Sequence, residues 1–465
     1  MKRYFYPLLW SLLLVFALSG CSQRMDYLRP EIAMPGAWQE PVPQQAPPQW
    51  QSALRQDPWW HGFGDPRLNQ LIDEVLRVNH DIIAAGIRLQ QARLQAGLSA
   101  TNRTPEVKVS TSWNINKDLR SGVQRESSGA SLSIGYQVDL WGKLAAVREK
   151  AEWEVQASEE DRQATALTLV GTSAKLYWQL AYLQQSLDSG QEELEYLGEL
   201  LGLSQAKYEA GAVSSLELLQ LGRQLAERSA SMSELRRRKQ AAANRLALLL
   251  DRAPGPLALI PDALPEARLP AIAAGIPAEL LGRRPDLRAA EYRLRAALAE
   301  QDRIRLSFYP DLTLTGSGGT GTDRLAQILE SPVATLGVSL LFPFVQYNTS
   351  QLTIKIAAEE YQLRVVDFRQ LVFQAFAEVE DALAAYRYGQ EQLRQLEQAL
   401  DRQHQIEEKA ALRYRAGATG IQAWLDEQDR LRSLELTVAA QQREQLNVAV
   451  TLYQAIGGAI PPPAG

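Results

Sequence analysis

Cysteine is almost missing from the chain: Cys21 is the only one in 465 residues, which excludes an intramolecular disulfide and any thiolate metal cluster. Histidine is scarce, with His61, His80 and His404 far apart. No HExxH, GxSxG, Walker or GxGxxG pattern occurs, so neither an enzyme nor a bound cofactor is expected. The four methionines are not clustered, which leaves no thioether tract for a soft metal such as copper or silver. Neither sign of charge dominates: 49 Lys and Arg against 54 Asp and Glu give a net charge of -5, so no nucleic-acid partner is expected. Proline vanishes between Pro105 and Pro254 and again between Pro343 and Pro461, and proline-free runs of that length point to long helices. Long apolar runs are absent except for Tyr4 to Leu18, which is too short to span a membrane as a helix.

That one run lies behind Lys2 and Arg3 and ahead of Leu18-Ser19-Gly20-Cys21, the layout of a secretory signal. Leu-Ser-Gly-Cys resembles the cleavage box of bacterial lipoproteins, which implies that residues 1–20 are removed and that Cys21 is acylated. The other reading is an ordinary signal peptide with a cysteine near its end. Several acyl chains anchor far more firmly than one, and Ser22 at the next position favours the outer membrane over inner-membrane retention. Residues 21–66 are rich in proline and contain Trp38, Trp50, Trp59 and Trp60; they read as an extended tether.

Beyond the tether the chain repeats itself. Asp81, Ala84, Ala85, Arg88, Leu89, Ala92 and Pro105 recur, about 205 positions later, as Asp286, Ala289, Ala290, Arg293, Leu294, Ala297 and Pro310. Tyr208 and Gly211 recur as Tyr414 and Gly417. The period is too long for a solenoid, so each copy is a large substructure. The two copies are expected at 67–253 and 277–458, joined by a linker at 254–276 and followed by a tail at 459–465.

Each copy has a long helix, about 143–210 and 347–415, with apolar residues at helical spacing. One of these would be roughly 100 Å long. Shorter stretches, 67–104 with 214–250 and 277–308 with 420–456, are expected to pack against it. Gly211 and Gly417 supply the positive φ that ends a helix. Ser214 with Glu217, and Thr419 with Gln422, match the capping box that starts the next one, one residue sooner after the glycine in the second copy. Asp81 and Asp286 belong at helix N-termini, where negative charge is favoured.

Between the helices the period falls to 2. Val107, Val109, Thr111, Trp113 and Ile115 alternate with polar residues, as do Leu132, Ile134, Tyr136 and Val138. In the second copy Leu312 and Leu314, then Leu336, Val338, Leu340 and Phe342, do the same. Two strand hairpins are therefore expected, near 105–139 and 310–343. One reading is a soluble sheet covered by helices; the other is a lipid-embedded barrel with an apolar outside and a polar inside. Four strands cannot close a barrel and open edges are not tolerated in lipid, so a barrel must be shared between chains. Three chains would give twelve strands and a lumen. Trp113 and Trp141 suit either an interfacial aromatic belt or ordinary packing.

The chain resembles the TolC-like outer-membrane factors, the outer-membrane efflux lipoproteins of tripartite resistance-nodulation-division systems. The resemblance covers the mature chain and rests on Asp26-Tyr27-Leu28-Arg29-Pro30, Asp139-Leu140-Trp141-Gly142-Lys143, the two Tyr-x-x-Gly tips, Arg283-Arg284-Pro285-Asp286 and Gly457-Gly458. It implies a homotrimer whose twelve-stranded outer-membrane β-barrel, four strands per chain, is continued by an α-helical coiled-coil tunnel in the periplasm. It further implies a periplasmic adaptor protein, an inner-membrane resistance-nodulation-division pump and outer-membrane lipid as partners, no cofactor beyond the lipid on Cys21, and passive exit of small toxic compounds. A duct for type I protein secretion and a lipid-anchored scaffold without a pore remain alternatives. The resemblance makes the hairpin tips, with Tyr208, Gly211 and Gly417, a gate: Asp426 would form a carboxylate ring and Tyr414 and Arg415 a latch. The plain reading of Asp426 is a solvated residue paired with Arg430. Gln422 stands where the family often has an apolar residue, and Pro343-Phe344-Val345-Gln346-Tyr347-Asn348 departs from the family's second strand-to-helix turn, where Asn348 would cap the helix.

Overall fold

The computed structural model describes residues 24–41, 58–256, 261, 263–265, 277–322 and 332–458. The signal segment, Cys21, the tail and most of the linker lie outside the described residues. In order, the elements are α1 (Pro66–Val78), α2 (His80–Ala100), β1 (Glu106–Lys117), β2 (Gln124–Val138), α3 (Lys143–Glu209) and α4 (Ser215–Leu249). The second half supplies α5 (Leu280–Arg283), α6 (Pro285–Leu306), β3 (Asp311–Thr322), β4 (Pro332–Leu341), α7 (Tyr347–Arg415) and α8 (Ile421–Ala455). They fall into two compact units: Met1–Ile32, Arg88–Glu159 and Ala289–Gln370 in one, and Ala33–Ile87, Glu160–Arg288 and Leu371–Gly465 in the other.

The first unit holds an antiparallel sheet in the order β1-β2-β3-β4. Its register sorts the side chains by face. Val107, Ile134, Gly316 and Leu336 form one transverse row, with Tyr136, Leu314 and Val338 in another on the same face. Lys108, Ser133, Ser317 and Thr335 line the opposite face. The apolar face is not covered by helices: Leu336 is 92% exposed, Val109 76% and Val338 71%. This overturns the soluble-sheet reading, in which those residues would be buried. β1 and β4 each leave one edge unpaired within the chain, and an unpaired edge is a template for another strand.

Asp139-Leu140-Trp141-Gly142-Lys143 turns the chain from β2 into α3. Gly142 takes φ 85, and the Asp139 carboxylate accepts the N–H groups of Leu144 (3.0 Å) and Ala145 (2.7 Å), capping the helix. Lys143 Nζ reaches Asp311 at 2.6 Å, and Trp141 Nε1 donates to the Pro310 carbonyl at 3.0 Å, so the motif joins β3 to the start of α3. The second turn is built differently. A 3-10 turn, Pro343–Val345, precedes α7, and Asn348 is the second residue of the helix, not its cap; the Ser350 N–H bonds instead to the Gln346 carbonyl at 3.0 Å.

The same unit holds the segment that follows the lipidation motif. Arg24 pairs with Glu149 at 2.7 Å, and the Met25 N–H donates to Asp302 at 2.9 Å. Arg29 forks onto Glu291 at 2.7 and 3.1 Å. Tyr27 donates to Glu291 at 3.3 Å while the Arg295 guanidinium stacks on the Tyr27 ring (4.7 Å) and on Trp153 (4.8 Å). The Asp-Tyr-Leu-Arg-Pro motif is thus a strap whose side chains are ion-paired and stacked onto helices.

In the second unit the expected helices at 67–104 and 277–308 are each broken, at Asn79 (ψ 135) and at Arg284 (ψ 120). These residues are equivalent under the 205-residue offset. Asn79 is buried; its side chain accepts the Asp81 N–H at 2.8 Å and donates to the Leu249 carbonyl at 3.1 Å. Arg284 bonds Asp286 (2.7 Å), Glu378 (2.6 Å) and the Ala455 carbonyl at the end of α8 (3.1 Å). Gly457, φ 76, lies so close that a Cβ would be 2.7 Å from the Arg283 carbonyl carbon. That contact explains why Arg-Arg-Pro-Asp and Gly-Gly occur in one chain. A correction concerns the tether: Trp59 and Trp60 are 2% and 1% exposed. Trp59 stacks on Tyr453 at 4.8 Å, and Phe63 meets Trp178 at 4.9 Å, so the end of the proline-rich segment belongs to the core.

Candidate gate at the hairpin tips

Both helical hairpins turn the same way. The Gly211 N–H bonds to the Tyr208 carbonyl and the Ala212 N–H to that of Lys207; the Gly417 and Ala418 N–H groups repeat this on Tyr414 and Arg413. This is the Schellman pattern, with φ 74 at Gly211 and φ 71 at Gly417. The following helices start after Ser214 and Gly420. The expected capping boxes do not form: the Ser214 side chain makes no cap bond, and the N-cap of α8 is Gly420 and not Thr419. Ser214 and Gly420 are equivalent when Tyr208 is laid on Tyr414, so the expected one-residue difference between the tips is also absent. Burial of Ile421, 2% exposed, sets the start of α8.

Just behind the turns the two hairpins share one apolar cluster. Leu197 and Leu200 of α3 and Leu221 of α4 meet Ala411 of α7 and Ile421, Trp424 and Leu425 of α8. Trp424 is its centre. Its ring stacks on Tyr414 at 5.3 Å and meets Tyr196 edge-on at 6.2 Å, and its Nε1 donates to Glu407 at 2.7 Å. Glu217 of α4 accepts from Ser204 at 2.8 Å and from the Tyr414 hydroxyl at 3.4 Å, while Lys207 lies 5.7 Å over the Tyr414 ring. Burial, then the Glu217 charge, holds the Tyr414 phenol above its ordinary range.

Further from the turns a polar layer joins three of these helices, α3, α4 and α8. Glu193 of α3 pairs with Arg228 of α4 at 2.7 Å and with Arg432 of α8 at 3.4 Å. Asp429 accepts from Gln224 at 2.9 Å, and Arg228 is 3.7 Å from it. Burial pushes the Glu193 carboxyl up, against the pull of the two guanidinium groups.

The expected gate residues are therefore divided. Tyr414 lies in the cluster with Trp424, and Arg415 is exposed, its charge acting on the Tyr196 phenol. Gln422 and Asp426, one turn apart on α8, are joined by a hydrogen bond from the Gln422 amide to the Asp426 carboxylate. Asp426 is exposed and does not take Arg430, which pairs with Glu427 instead. Tyr208 is 43% exposed, unlike its counterpart Tyr414. Trp424 and Glu407 were missed in the sequence, and Glu217 was expected only as a capping-box partner of Ser214, not as the acceptor for Ser204 and Tyr414. A lone tryptophan in a hairpin otherwise rich in Glu, Gln and Arg was the available signal. Among the described residues no group of His, Cys, Asp and Glu is placed to hold a metal ion, and no helix is long and apolar enough to cross a membrane.

Comparison with known proteins places this architecture. The model of the outer membrane efflux protein family matches residues 71–252 and 276–458. The pyoverdine export outer membrane protein OpmQ of Pseudomonas putida is 34% identical over 438 residues, covering 92% of this chain and 92% of that protein. Among solved structures, the outer-membrane channel OprN is 28% identical with a TM-score of 0.83, covering 94% of this chain and 99% of that one. The open state of the Neisseria gonorrhoeae MtrE outer membrane channel is 26% identical with a TM-score of 0.83, covering 94% and 98%. The chain belongs to the outer membrane efflux protein family. Its fold class is that of the trimeric outer-membrane channels with a barrel and a helical tunnel, and it is a channel component of an efflux system in the outer membrane.

Proposed function

We propose that this chain is the lipid-anchored exit duct of a tripartite pump, closed at its hairpin tips by side chains of the second hairpin and opened by contact with a periplasmic adaptor. The carrying observation is the pairing on one short stretch of α8 of a buried Trp424, which pins the tip, with an exposed Asp426 that accepts from the half-buried Gln422. Three copies of Asp426 brought near one axis repel one another and attract cations, which suits a constriction relieved by separation. Replacing Asp426 and Arg415 together by alanine is expected to raise single-channel conductance in planar bilayers; a closed trimer of unchanged conductance would exclude this gate.

Cys21 carries the anchor in this reading. Mass spectrometry of the mature N-terminus should find acyl chains on Cys21, and Cys21→Ala should release them while the channel still assembles. The inner-membrane partner is a resistance-nodulation-division pump. For cargo, the similarity to a pyoverdine export protein favours a secreted small molecule of that kind over a protein. Retention of such a compound in cells lacking this chain, with secreted proteins unaffected, is the expected result.

A further inference from the structure

The register of the sheet gives each strand residue a level as well as a face. On the polar face Glu106 and Lys108 lie at the end where α2 enters β1, and they pair with each other at 3.0 Å. Asp311, at the same end, is held by Lys143. The next three levels, from Ser110 and Ser131 to Asn114 and Ser127, carry only serine, glycine, asparagine and valine among the described residues. Charge returns at Arg125, which stands opposite Asn116 beside the hairpin turn. Lys108 and Asn116 are eight residues apart, about 27 Å of strand.

The groups around Arg125 leave its charge unmatched. Lys117 and Glu126 fall on the apolar face with Ile115 by the same alternation. The Asp118 carboxylate is folded into its own turn, where it accepts the N–H groups of Arg120 (2.8 Å) and Ser121 (3.1 Å). From Lys117 to Glu126 the hairpin end carries Lys117, Arg120 and Arg125 against Asp118 and Glu126, three positive charges against two negative. Arg125 is exposed and has no ion-pair partner among the described residues.

Barrel closure by three copies sets three Arg125 side chains around one axis, at the end of the lumen away from the helices. We propose that Arg125 is an anion-selecting residue of the duct: a ring of three guanidinium groups near the outer mouth, beyond an uncharged hydroxyl-lined stretch, that favours the exit of small anionic compounds over cations of the same size. Fixed charge of one sign in an aqueous passage raises the local concentration of counter-ions, and no other charge on the three preceding levels opposes it. A guanidinium stays charged at every pH the protein meets, so the preference holds across the physiological range.

The ring rests on the channel reading, because it uses barrel closure between copies. Its test places a thiol beside Arg125 in the full chain, in cells, with the wild type and its single Cys21 as background. Ser127 lies on the polar face two residues from Arg125, and Leu132 on the apolar face. Ser127→Cys and Leu132→Cys are treated with membrane-impermeant thiosulfonates, one anionic and one cationic, and their rates are compared with those on a free thiol. A unit charge about 7 Å away in water favours the anionic reagent roughly threefold at 0.1 M salt and hardly at all at 1 M. Adding Arg125→Ser to Ser127→Cys should remove that preference, and Arg125→Glu should invert it. In planar bilayers the anion-to-cation permeability ratio of the trimer should fall in the order wild type, Arg125→Ser, Arg125→Glu. A preference at Ser127→Cys that does not change with residue 125, or one permeability ratio for all three proteins, overturns the ring alone. Labelling of Leu132→Cys as fast as Ser127→Cys, in a protein that does not conduct, overturns the channel reading and the ring with it.

Discussion

Replacing Trp424 by alanine should loosen the hairpin tips more than any other single change there. The indole is 4% exposed; an aromatic side chain buries some 150–250 Å², which at about 25 cal/mol per Å² corresponds to roughly 4–6 kcal/mol. Cavity-forming aromatic deletions in cores cost about 3–5 kcal/mol. The cluster lies close to the tip and its neighbours can partly collapse, so about 3 kcal/mol is the reasoned figure. Trp424→Phe keeps a ring against Tyr414 and loses mainly the Nε1–Glu407 bond of 2.7 Å. Because Glu407 is only half-buried and can rehydrate, that loss should be about 1 kcal/mol. The assay is hydrogen exchange of the amides in 411–425: about 3 kcal/mol predicts roughly 100-fold faster exchange for the alanine variant and several-fold for phenylalanine, if these amides exchange by local opening. Protection unchanged within a factor of three in the alanine variant would refute the claim that this cluster holds the tip.

Arg284→Met should cost about 2 kcal/mol, below the 3–5 kcal/mol for stranding a fully buried charge, because Asp286 and Glu378 are 38% and 56% exposed and can rehydrate; thermal unfolding of the detergent-solubilised protein would measure it. Gly457→Ala adds to the 1–2 kcal/mol cost of a left-handed residue a Cβ at 2.7–2.8 Å from the backbone of Arg283 and Arg284, whereas Gly211→Ala meets nothing within 4 Å. Heat resistance of the trimer should therefore fall clearly more for Gly457→Ala. Burial, then the Glu291 charge, pushes the Tyr27 phenol up to about 12. An unfolded tyrosine ionises near 10, so this contribution is fully present below about pH 10 and is lost as pH climbs towards 12. Protease cleavage of the strap should accelerate over that window in the wild type, and Tyr27→Phe should abolish the acceleration.

What the sequence revealed is what local physics decides. The helix lengths, the glycines that end α3 and α7 and the alternating strands are each written in a few neighbouring residues, and the chain follows them. The larger failures lie where a distant group decides. Asn79 and Arg284 break helices because the Leu249 and Ala455 carbonyls receive their side chains, partners some 170 residues away. Trp59 and Trp60 sit in a proline-rich stretch and are buried by Tyr453 and its neighbours. Asp426 accepts the Gln422 amide one turn back, and Arg430 pairs with Glu427 instead, a choice among near neighbours on α8. Thr419 has the right chemistry for a cap, but the burial of Ile421 places the start of the helix one residue later.

The two copies diverge at opposite ends in opposite ways. α3 and α7 begin 204 positions apart, at Lys143 and Tyr347, but end 206 apart, at Glu209 and Arg415. The extra residues of α7 thus lie at its sheet end, and the tips keep one common backbone. At the tips only the side chains differ: Leu216, Leu218 and Gln220 stand where the second copy has Gln422, Trp424 and Asp426. The difference has a mechanical consequence. Trp424 packs on its own hairpin through Tyr414 and on the other through Tyr196, in a cluster that also takes Leu197, Leu200 and Leu221 from the first hairpin. Separating the hairpins of one chain would expose several such side chains at about 1.5–3 kcal/mol each, leaving the separated form below roughly one in a thousand at the 1.4 kcal/mol per decade that governs an equilibrium. The half-buried Glu193 with its two guanidinium partners joins α3 and α4 to α8 and adds to that penalty. The hairpins of one chain are therefore expected to move as a pair, with the exposed Asp426 carboxylate of the proposed gate carried on the second of them.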